Sequence, residues 1–376
     1  MLPKSAYEVW LENEEVPVYT GYGVKDVAAV PRGQWKRTGG KAAFFDLRGM
    51  DGFTAGYVVE IGPHQRLNVQ QHMYEESMYG LAGTGILSLL VDNAGERVEI
   101  SWKEGTLFAP PLNCPYELRN DTDSIALLFV ATNMPLVMDL FADSKFIFDC
   151  GNRFEDRISE VLVGKTQGTR TSMSGRGGLT ISGAQIDNVP TGTDPNDLEG
   201  SAEAHGVFAL AGNALGGHLA GEPVGKYDEA HYHGGGAIIL ILKSYGYSLM
   251  WPAELGPRPY QDGFADRIVK VEWGPGSIIS PPGAWFHQHF NLGNVPARNI
   301  AFRFGYGLAH PVRFYLSNHD INGRTACTVG MREGGSLIDF EDEDPKIHAD
   351  YEMALKASGV PCAMDHQIFS PASISV

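Results

Sequence analysis

The sequence is poor in cysteine and in apolar leader segments, and each shortage excludes a class of protein. Only four cysteines occur in 376 residues, at Cys114, Cys150, Cys327 and Cys362, and no two form a C-x-x-C pair. So few and so widely spaced cysteines are typical of reduced, intracellular proteins rather than of disulfide-stabilised secreted ones. The first residues, MLPKSAYEVWLENEEVP, are acidic and predict no signal peptide. We therefore expect a cytoplasmic protein.

Basic residues and long hydrophobic runs are also scarce. Lys and Arg total 29 against 45 for Asp and Glu, so the formal net charge is −16. Such a chain repels phosphate backbones and anionic lipid surfaces, which argues against nucleic acid and membranes as partners. No apolar run approaches the length that spans a bilayer. We expect a small-molecule substrate, with a local basic residue in the site if that substrate is an anion.

What the sequence has in quantity is strand-length apolar runs bounded by turn residues. There are 46 Gly and 22 Pro, and they separate runs such as TAGYVVEIG, AIILILKSYGYSLMW and NIAFRFG. This pattern predicts an all-β, antiparallel fold. Helical patterns lie near the two ends, over residues 5–13 and 348–358, and Gly359 and Pro361 are stop signals for the second.

The chain divides into two halves that resemble each other. HMYEESMYGLAGTG and EGTLFAPPLNCPYELRN in the first half match HYHGGGAIILILKSYGY and GPGSIISPPGAWFHQHFN in the second, in the same order. Such a repeat predicts an internal duplication. Residues 164–204, between the halves, are rich in Gly, Ser and Thr. We predict a barrel over 1–150, a linker over 151–204, a second barrel over 205–310 and a helical extension over 311–376.

Histidines in the second half predict a metal site. Side chains alternate faces along a strand, so His231 and His233 point the same way and can grip one divalent ion. His287 and His289 are again two residues apart, and either can supply a third ligand. Glu229 lies two residues before His231, so it is either a further ligand on that face or an exposed carboxylate at the strand edge.

Other residues of the second half are candidates for substrate binding. Arg303 lies in an apolar strand, which predicts a carboxylate or phenolate partner from the substrate, or an internal ion pair. Trp285, Tyr247 and Trp251 predict an apolar or aromatic ligand, or core packing. His289, if it is not a ligand, can orient the substrate or shuttle a proton. The acidic run over 341–344 predicts a solvated segment.

These motifs resemble those of the bicupin family over most of the chain. The family pattern is G-x5-H-x-H-x3,4-E-x6-G followed by G-x5-P-x-G-x2-H-x3-N. The matching residues, with one residue of slack allowed after Pro282, are Gly225, His231, His233, Gly246, Gly276, Pro282, Gly283, His287 and Asn291. The resemblance implies two cupin barrels, which are double-stranded β-helices of the jelly-roll type. It also implies His287 as the third ligand, because His287 precedes Asn291 by four residues.

The first half departs from this pattern further than the second. His72 matches the second His of the pair, but Gln70 replaces the first and Tyr116 stands where the third would be. Glu75 or Glu76 matches the family's Glu. One His, a Gln, a Glu and a Tyr make a poor set of ligands for a divalent ion. We predict a degenerate site in this barrel and one metal ion per chain rather than two.

The second half lacks the family's Glu ligand, because Gly236 or a neighbour stands in its place. A subset of cupins without this Glu binds Fe(II) through three His. It includes gentisate- and salicylate-type ring-cleaving dioxygenases, whose W-H-x-H-x-N turn is similar to WFHQHFN at 285–291. This local resemblance implies an Fe(II) dioxygenase for a small aromatic or hydroxy-carboxylate substrate.

Two other functions stay open from the sequence. The same ligands with Mn, Zn, Ni or Co would serve a non-redox lyase, isomerase or decarboxylase that acts on a small organic acid. A cupin that binds a small ligand without catalysis is the third possibility. In each case a homo-oligomer, a dimer or larger, is expected from the general frequency of symmetric assemblies.

Overall fold

The computed structural model describes residues 3–91, 97–163, 169–172, 179–189, 206–304, 320–321 and 324–369. They form two β-barrels and a few helices, which confirms the all-β prediction. Three parts of the predicted extension lie outside the described residues, at 311–319, 322–323 and 370–376. So do 164–168, 173–178 and 190–204 of the predicted linker, and 205 and 305–310 of the predicted second barrel. No helix of the described residues is long and apolar enough to cross a bilayer.

The first half contains eleven described strands. They are β1 (Val18–Gly21), β2 (Gly23–Val24), β3 (Gly33–Gln34), β4 (Lys41–Leu47), β5 (Ala55–Ile61), β6 (Glu76–Ala82), β7 (Thr84–Leu90), β8 (Arg97–Lys103), β9 (Leu107–Phe108), β10 (Tyr116–Arg119) and β11 (Ala126–Thr132). One sheet contains the order β5-β11-β6-β9, and the other runs β10-β7-β8. Isolated bridges join Arg66 and Gln70 to β10 as a further edge of the second sheet.

The remaining described strands follow residue 168. They are β12 (Thr169–Ser172), β13 (Leu179–Gly183), β14 (Gln185–Ile186), β15 (Gly206–Leu210), β16 (Leu215–Ala220), β17 (Ile238–Lys243), β18 (Gly246–Pro252), β19 (Val269–Trp273), β20 (Ile278–Ile279), β21 (Trp285–Asn291), β22 (Arg298–Phe304), β23 (Asp320–Ile321) and β24 (Arg324–Thr325). The order β16-β22-β17-β20 repeats β5-β11-β6-β9, and β19-β18-β21 repeats β8-β7-β10. Each half is therefore a jelly roll, the fold of cupins.

The two barrels share their edges and their core. Strand β2 of the first half pairs with β20, and β14 pairs with β9 of the first half. The large sheets face each other across one apolar core, in which the rings of Phe129 and Phe302 lie 5.8 Å apart. A boundary at residue 150 therefore separates the barrels in sequence but not in space.

Five helices lie outside the barrels in the described residues. They are α1 (Ala6–Asn13), α2 (Met134–Phe141), α3 (Ser144–Phe148), α4 (Glu155–Val163) and α5 (Pro345–Ser358). Ser5 caps α1 in a capping box with Glu8, where the sequence predicts its start. Helix α5 begins three residues before the predicted start, because Asp344 caps it and Pro345 fits its first position.

Two sequence predictions about loops are wrong in part. The predicted linker contains α4, and its strands β12 and β13 extend the large sheet of the second barrel. The acidic run at 341–344 is not solvated throughout, because Glu343 and Asp344 are buried. Asp344 accepts hydrogen bonds from the backbone of Tyr260 and Gln261 at 2.8 Å each, and Glu343 contacts the second barrel.

Candidate metal centre

Three histidine side chains meet inside the second barrel. The segment that carries His231 and His233 lies along β21, and His231 and His287 exchange backbone hydrogen bonds of 3.3 and 3.0 Å. Possible ligand nitrogens of His231, His233 and His287 all lie within 4.8 Å of one another. The structure thus brings together the three residues that the sequence predicts as metal ligands.

The second ring nitrogen of each histidine is already engaged. Each Nδ1 lies 2.7 to 3.2 Å from a backbone carbonyl oxygen. The carbonyls belong to Glu229, Gly234 and Trp285, for His231, His233 and His287 in that order. Because a carbonyl oxygen only accepts, each Nδ1 carries the proton and each Nε2 keeps a lone pair. This is the arrangement that metal-binding histidines use, so the donor set fits a divalent ion.

The electrostatics of the site favour neutral rings. Burial holds the pKa of His233 well below its usual value, and the positive charges of Arg303, His287 and His231 lower it further. Burial likewise depresses the pKa of His287, with smaller contributions from neighbouring histidines and from Arg303. Neutral imidazoles are the form that binds a metal, so the lowered pKa values of His233 and His287 favour metal binding.

Arg303 lies beside this group. It is on β22, opposite Gly216, and only 7% of it is exposed. Its charge is close enough to lower the pKa of both His233 and His287. A guanidinium at this position is a group that can bind an anionic ligand.

Neither of the two further candidate ligands joins the group. Nδ1 of His289 is 2.7 Å from Oγ of Ser248, which also accepts a hydrogen bond of 3.0 Å from the indole of Trp273. Burial and the charge of His231 lower the pKa of His289 to about 3. Burial raises the pKa of Glu229, and the charges of Asp228 and Asp339 add to that rise. Glu229 thus lies among other carboxylates.

For two aromatics that the sequence assigned to substrate binding or to core packing, the structure favours packing. In β18, Met250 and Ser248 pair with His287 and His289, so they share the face of the ligands. Tyr247 and Trp251 alternate with them and point to the opposite face of the sheet. There they are buried in the apolar layer beneath α5. They pack the outside of the barrel and do not line its interior.

Trp285 lies on the same face of β21 as the ligand His287, but at the rim of the barrel. It is the first residue of β21, and its ring is 5.7 Å from the ring of Tyr22, which belongs to the first half. The guanidinium of Arg48 lies over Tyr22 at 5.4 Å. The first half therefore supplies part of the rim of the second barrel.

A turn of the first half explains the glycines where cupins carry Glu. Asp51 accepts a 2.9 Å hydrogen bond from the backbone of Gly283. A Cβ at Gly235 would collide with the Asp51 carboxylate, and one at Gly236 would lie 2.9 Å from Cβ of Phe53. Gly236 also has a φ of +86°, which disfavours other residues. The space beside the ligands is occupied by the first half, and no sequence pattern indicated this contact.

The candidate residues of the first barrel form a closed hydrogen-bonded group instead. Glu76 accepts hydrogen bonds from Tyr116 at 2.5 Å and Tyr57 at 2.6 Å, and it lies 3.4 Å from Nε2 of His72. Burial alone would raise the pKa of Glu76, but His72 and these hydrogen bonds lower it overall. Gln70 lies outside this group and donates to backbone carbonyls. In the described residues, no three possible ligand atoms converge here.

Sequence reasoning missed one more histidine of the second barrel. His218 is half-buried on β16, opposite Ala301 on β22, and Arg303 lies opposite Gly216 two residues along. Alternation therefore puts His218 on the face that carries Arg303. It lies outside the H-x-H motif, so only the pairing of β16 with β22 could have revealed it.

Fold and geometry define a chain of two cupin-type barrels with a histidine centre in the second. No family model and no curated protein matches the sequence. Among solved structures, three of Bacillus subtilis oxalate decarboxylase OxdC are similar over 77% of this chain and 79% of theirs. They are a variant with DSSN in place of SENS (13% identity), a structure from a study of Mn(II) centres (13%) and an arginine-to-alanine variant (12%), each with a TM-score of 0.47. So distant a likeness says nothing about the reaction, and the fold assignment rests on the strand order of this chain.

Proposed function

We propose that this chain is a divalent-metal-dependent enzyme that acts on a small organic acid inside its second barrel. One observation supports this above all: three imidazoles place possible ligand nitrogens within 4.8 Å of one another, near the buried Arg303. His231, His233 and His287 would hold the ion. Bound there, it would act as a Lewis acid on a carboxylate or carbonyl oxygen.

The charge of the site indicates the substrate class. Histidine ligands add no negative charge, and Arg303 adds one positive charge close to them. An ion held by neutral ligands would keep its full positive charge, so an anionic oxygen ligand is favoured over a neutral or cationic one. Arg303 would pair with one carboxylate through its planar guanidinium. A small mono- or dicarboxylate is therefore the proposed substrate.

We place non-redox chemistry first: decarboxylation, elimination or isomerisation of the bound acid. Three neutral ligands favour an ion that stays divalent, because they supply no negative charge to offset a further loss of an electron. The interior also holds polar groups that can bind a reacting oxygen. One such pair is formed by Ser248, on β18, and His289, which lies two residues along β21 from His287.

A second candidate is the Fe(II) dioxygenase implied by the local resemblance. The glycines at 234–236 support it, since they leave the ligand set without a carboxylate. Three protein ligands leave positions for a bidentate hydroxy-acid and for a co-substrate, by the usual octahedral count. The comparisons give this dioxygenase resemblance no support, and Fe(II) stays a prediction beside Mn, Zn, Ni and Co.

The test combines reconstitution with two assays. Protein freed of metal would be loaded under argon with Mn(II), Fe(II), Co(II), Ni(II) or Zn(II) and mixed with dicarboxylic, β-hydroxy and hydroxybenzoic acids. Product formed under argon supports the non-redox proposal. Turnover that requires O2 and consumes it supports the dioxygenase instead. Ligand binding without turnover under either condition would favour a non-catalytic binding protein.

A matched pair of variants ties the activity to the site. His231→Ala with His233→Ala should abolish activity and remove the metal of this centre. His64→Ala, in an exposed histidine whose ring lies 2.8 Å from Asp123, should change neither. If the double variant keeps its metal at this centre and its activity, the proposal is wrong.

A further inference from the structure

A second group of possible metal ligands lies outside the barrel, beside the first half of α5. Ligand atoms of His348, Glu352 and Cys362 all lie within 4.8 Å of one another. His348 and Glu352 are one turn apart on the same face of α5, and Nε2 of His348 is 3.7 Å from a carboxylate oxygen of Glu352. After the helix ends at Gly359, the chain turns back and brings Cys362 close to these two residues. Among the described residues, these are the only such trio besides the barrel histidines.

The protonation of His348 is set by its neighbours. The hydroxyl of Tyr227 donates to the carboxylate of Glu343 at 2.6 Å, and the same oxygen lies 3.3 Å from Nδ1 of His348. Because that hydroxyl proton is used on Glu343, the tyrosine oxygen accepts from Nδ1–H. The Nε2 lone pair of His348 then faces Glu352. A carboxylate, a tyrosine and a histidine in series are the type of support that orients a metal-binding imidazole.

The third ligand is held just as firmly. Residues on both sides of Cys362 are fixed by backbone hydrogen bonds, from Val360 to Leu355 at 3.0 Å and from Ala363 to Gly225 at 2.8 Å. The ring of Phe369 stacks on that of His348, with centroids 4.1 Å apart. The three side chains therefore lie on a fixed frame, which lowers the entropic cost of binding an ion.

We propose that His348, Glu352 and Cys362 bind a second divalent cation, and that this ion is Zn²⁺. A thiolate, an imidazole and a carboxylate form the mixed soft and hard set that Zn²⁺ accepts, with water as a fourth ligand. An ion here fastens the chain beyond α5 to the helix and so to the outer face of the sheet that carries β21. This revises the expectation of one metal per chain to two.

Cobalt spectroscopy separates the two sites, because only the proposed site contains sulfur. Apoprotein loaded with Co(II) should bind two equivalents and show a thiolate-to-cobalt charge-transfer absorption in the near ultraviolet. Cys362→Ser should remove that absorption, and His348→Ala with Cys362→Ser should lower the cobalt content by one equivalent. His231→Ala with His233→Ala should also lose one equivalent but keep the absorption. Cys327→Ser, at another half-buried cysteine, should change neither the cobalt content nor the absorption.

A measurement on the unmodified chain guards against misfolded variants. Zn²⁺ should slow the alkylation of Cys362 by about tenfold or more, because a metal-bound thiolate is a poor nucleophile. Cys327, followed in the same digest by mass spectrometry, is the internal reference. If alkylation of Cys362 is unaffected by Zn²⁺ and no charge-transfer absorption forms, His348 and Glu352 make only an ion pair and the proposal is overturned.

Discussion

Single residues give the two barrels different chemistry in corresponding interiors. In the first, the carboxylate of Glu76 is held by Tyr57 and Tyr116, so its acceptor atoms are already used. In the second, the rings are neutral and the nearby charge is that of Arg303. Metal-binding capacity therefore depends on whether three ligand atoms converge, and among the described residues of the first barrel they do not.

At this scale Arg303→Lys is the sharpest test of substrate class. Lysine keeps the positive charge but cannot make two parallel hydrogen bonds to a carboxylate. Loss of one charge-assisted hydrogen bond costs about 1.5–3 kcal/mol, so KM should rise roughly ten- to a hundredfold. Metal content should be unchanged, as measured by elemental analysis. Arg97→Lys, at an exposed position, is the control, and an unchanged KM in Arg303→Lys would exclude the proposed role.

Asp344 is a second residue whose local bonds give a definite expectation. Its carboxylate is fully buried and accepts from the backbone of Tyr260, Gln261 and Lys346. An ordinary helix cap contributes about 1 kcal/mol, and each buried donor left unpaired adds about 1–3 kcal/mol. Asp344→Ala should therefore lower the free energy of unfolding in urea by at least about 2 kcal/mol.

The control for Asp344→Ala is a substitution two residues away in the same acidic run. Asp342→Ala removes only a surface ion pair with Arg332 and should cost less than about 1 kcal/mol. Equal losses in the two variants would contradict the structural role given to Asp344.

At the scale of elements, sequence periodicity predicted the strands and the metal ligands. It did not predict, for every strand, which residues face the barrel interior. The H-x-H motif is local, so alternation alone put His231 and His233 together. Whether Tyr247 or Met250 faces inward depends on the register of β18 against β21, which no local pattern fixes. The contact of Asp51 with Gly283 joins residues 232 positions apart and was equally out of reach.

The contact between the first-half turn and the glycines can be tested by a double-mutant cycle. Gly235→Ala should lower the free energy of unfolding by about 1–3 kcal/mol, because its Cβ meets the Asp51 carboxylate. Asp51→Ala removes that carboxylate, so the same glycine substitution should then cost clearly less. Gly151→Ala, where the added Cβ meets nothing within 4 Å, should have little effect. Additive effects of the two substitutions would show that they do not touch.

At the scale of the whole molecule, the halves form one unit through exchanged strands and a shared core. Strands β2 and β14 each complete the sheet of the other half. We therefore expect a single cooperative unfolding transition, since neither barrel keeps its full sheet alone. A homo-oligomer stays a prediction that these contacts within one chain do not address.

The stability of this unit should depend on pH through the buried Glu222. Burial, with a smaller contribution from Asp228, raises the pKa of Glu222 from 4.5 to about 7. Below pH 4.5 both the folded and the unfolded chain carry the proton, and above pH 7 neither does. Between these values the folded state holds the proton longer, so stability falls as pH rises, by a total on the order of 3 kcal/mol.

Glu222→Gln should flatten that part of the pH dependence, because the amide has the same shape and no charge to bury. Urea unfolding of the two proteins between pH 5 and pH 8 measures the effect. The variant should match the wild-type chain near pH 5 and exceed it in stability near pH 8. Glu104→Gln, at an exposed site, should run parallel to the wild-type chain throughout. A Glu222→Gln curve that also runs parallel would mean that Glu222 ionises in the folded protein at its ordinary pH.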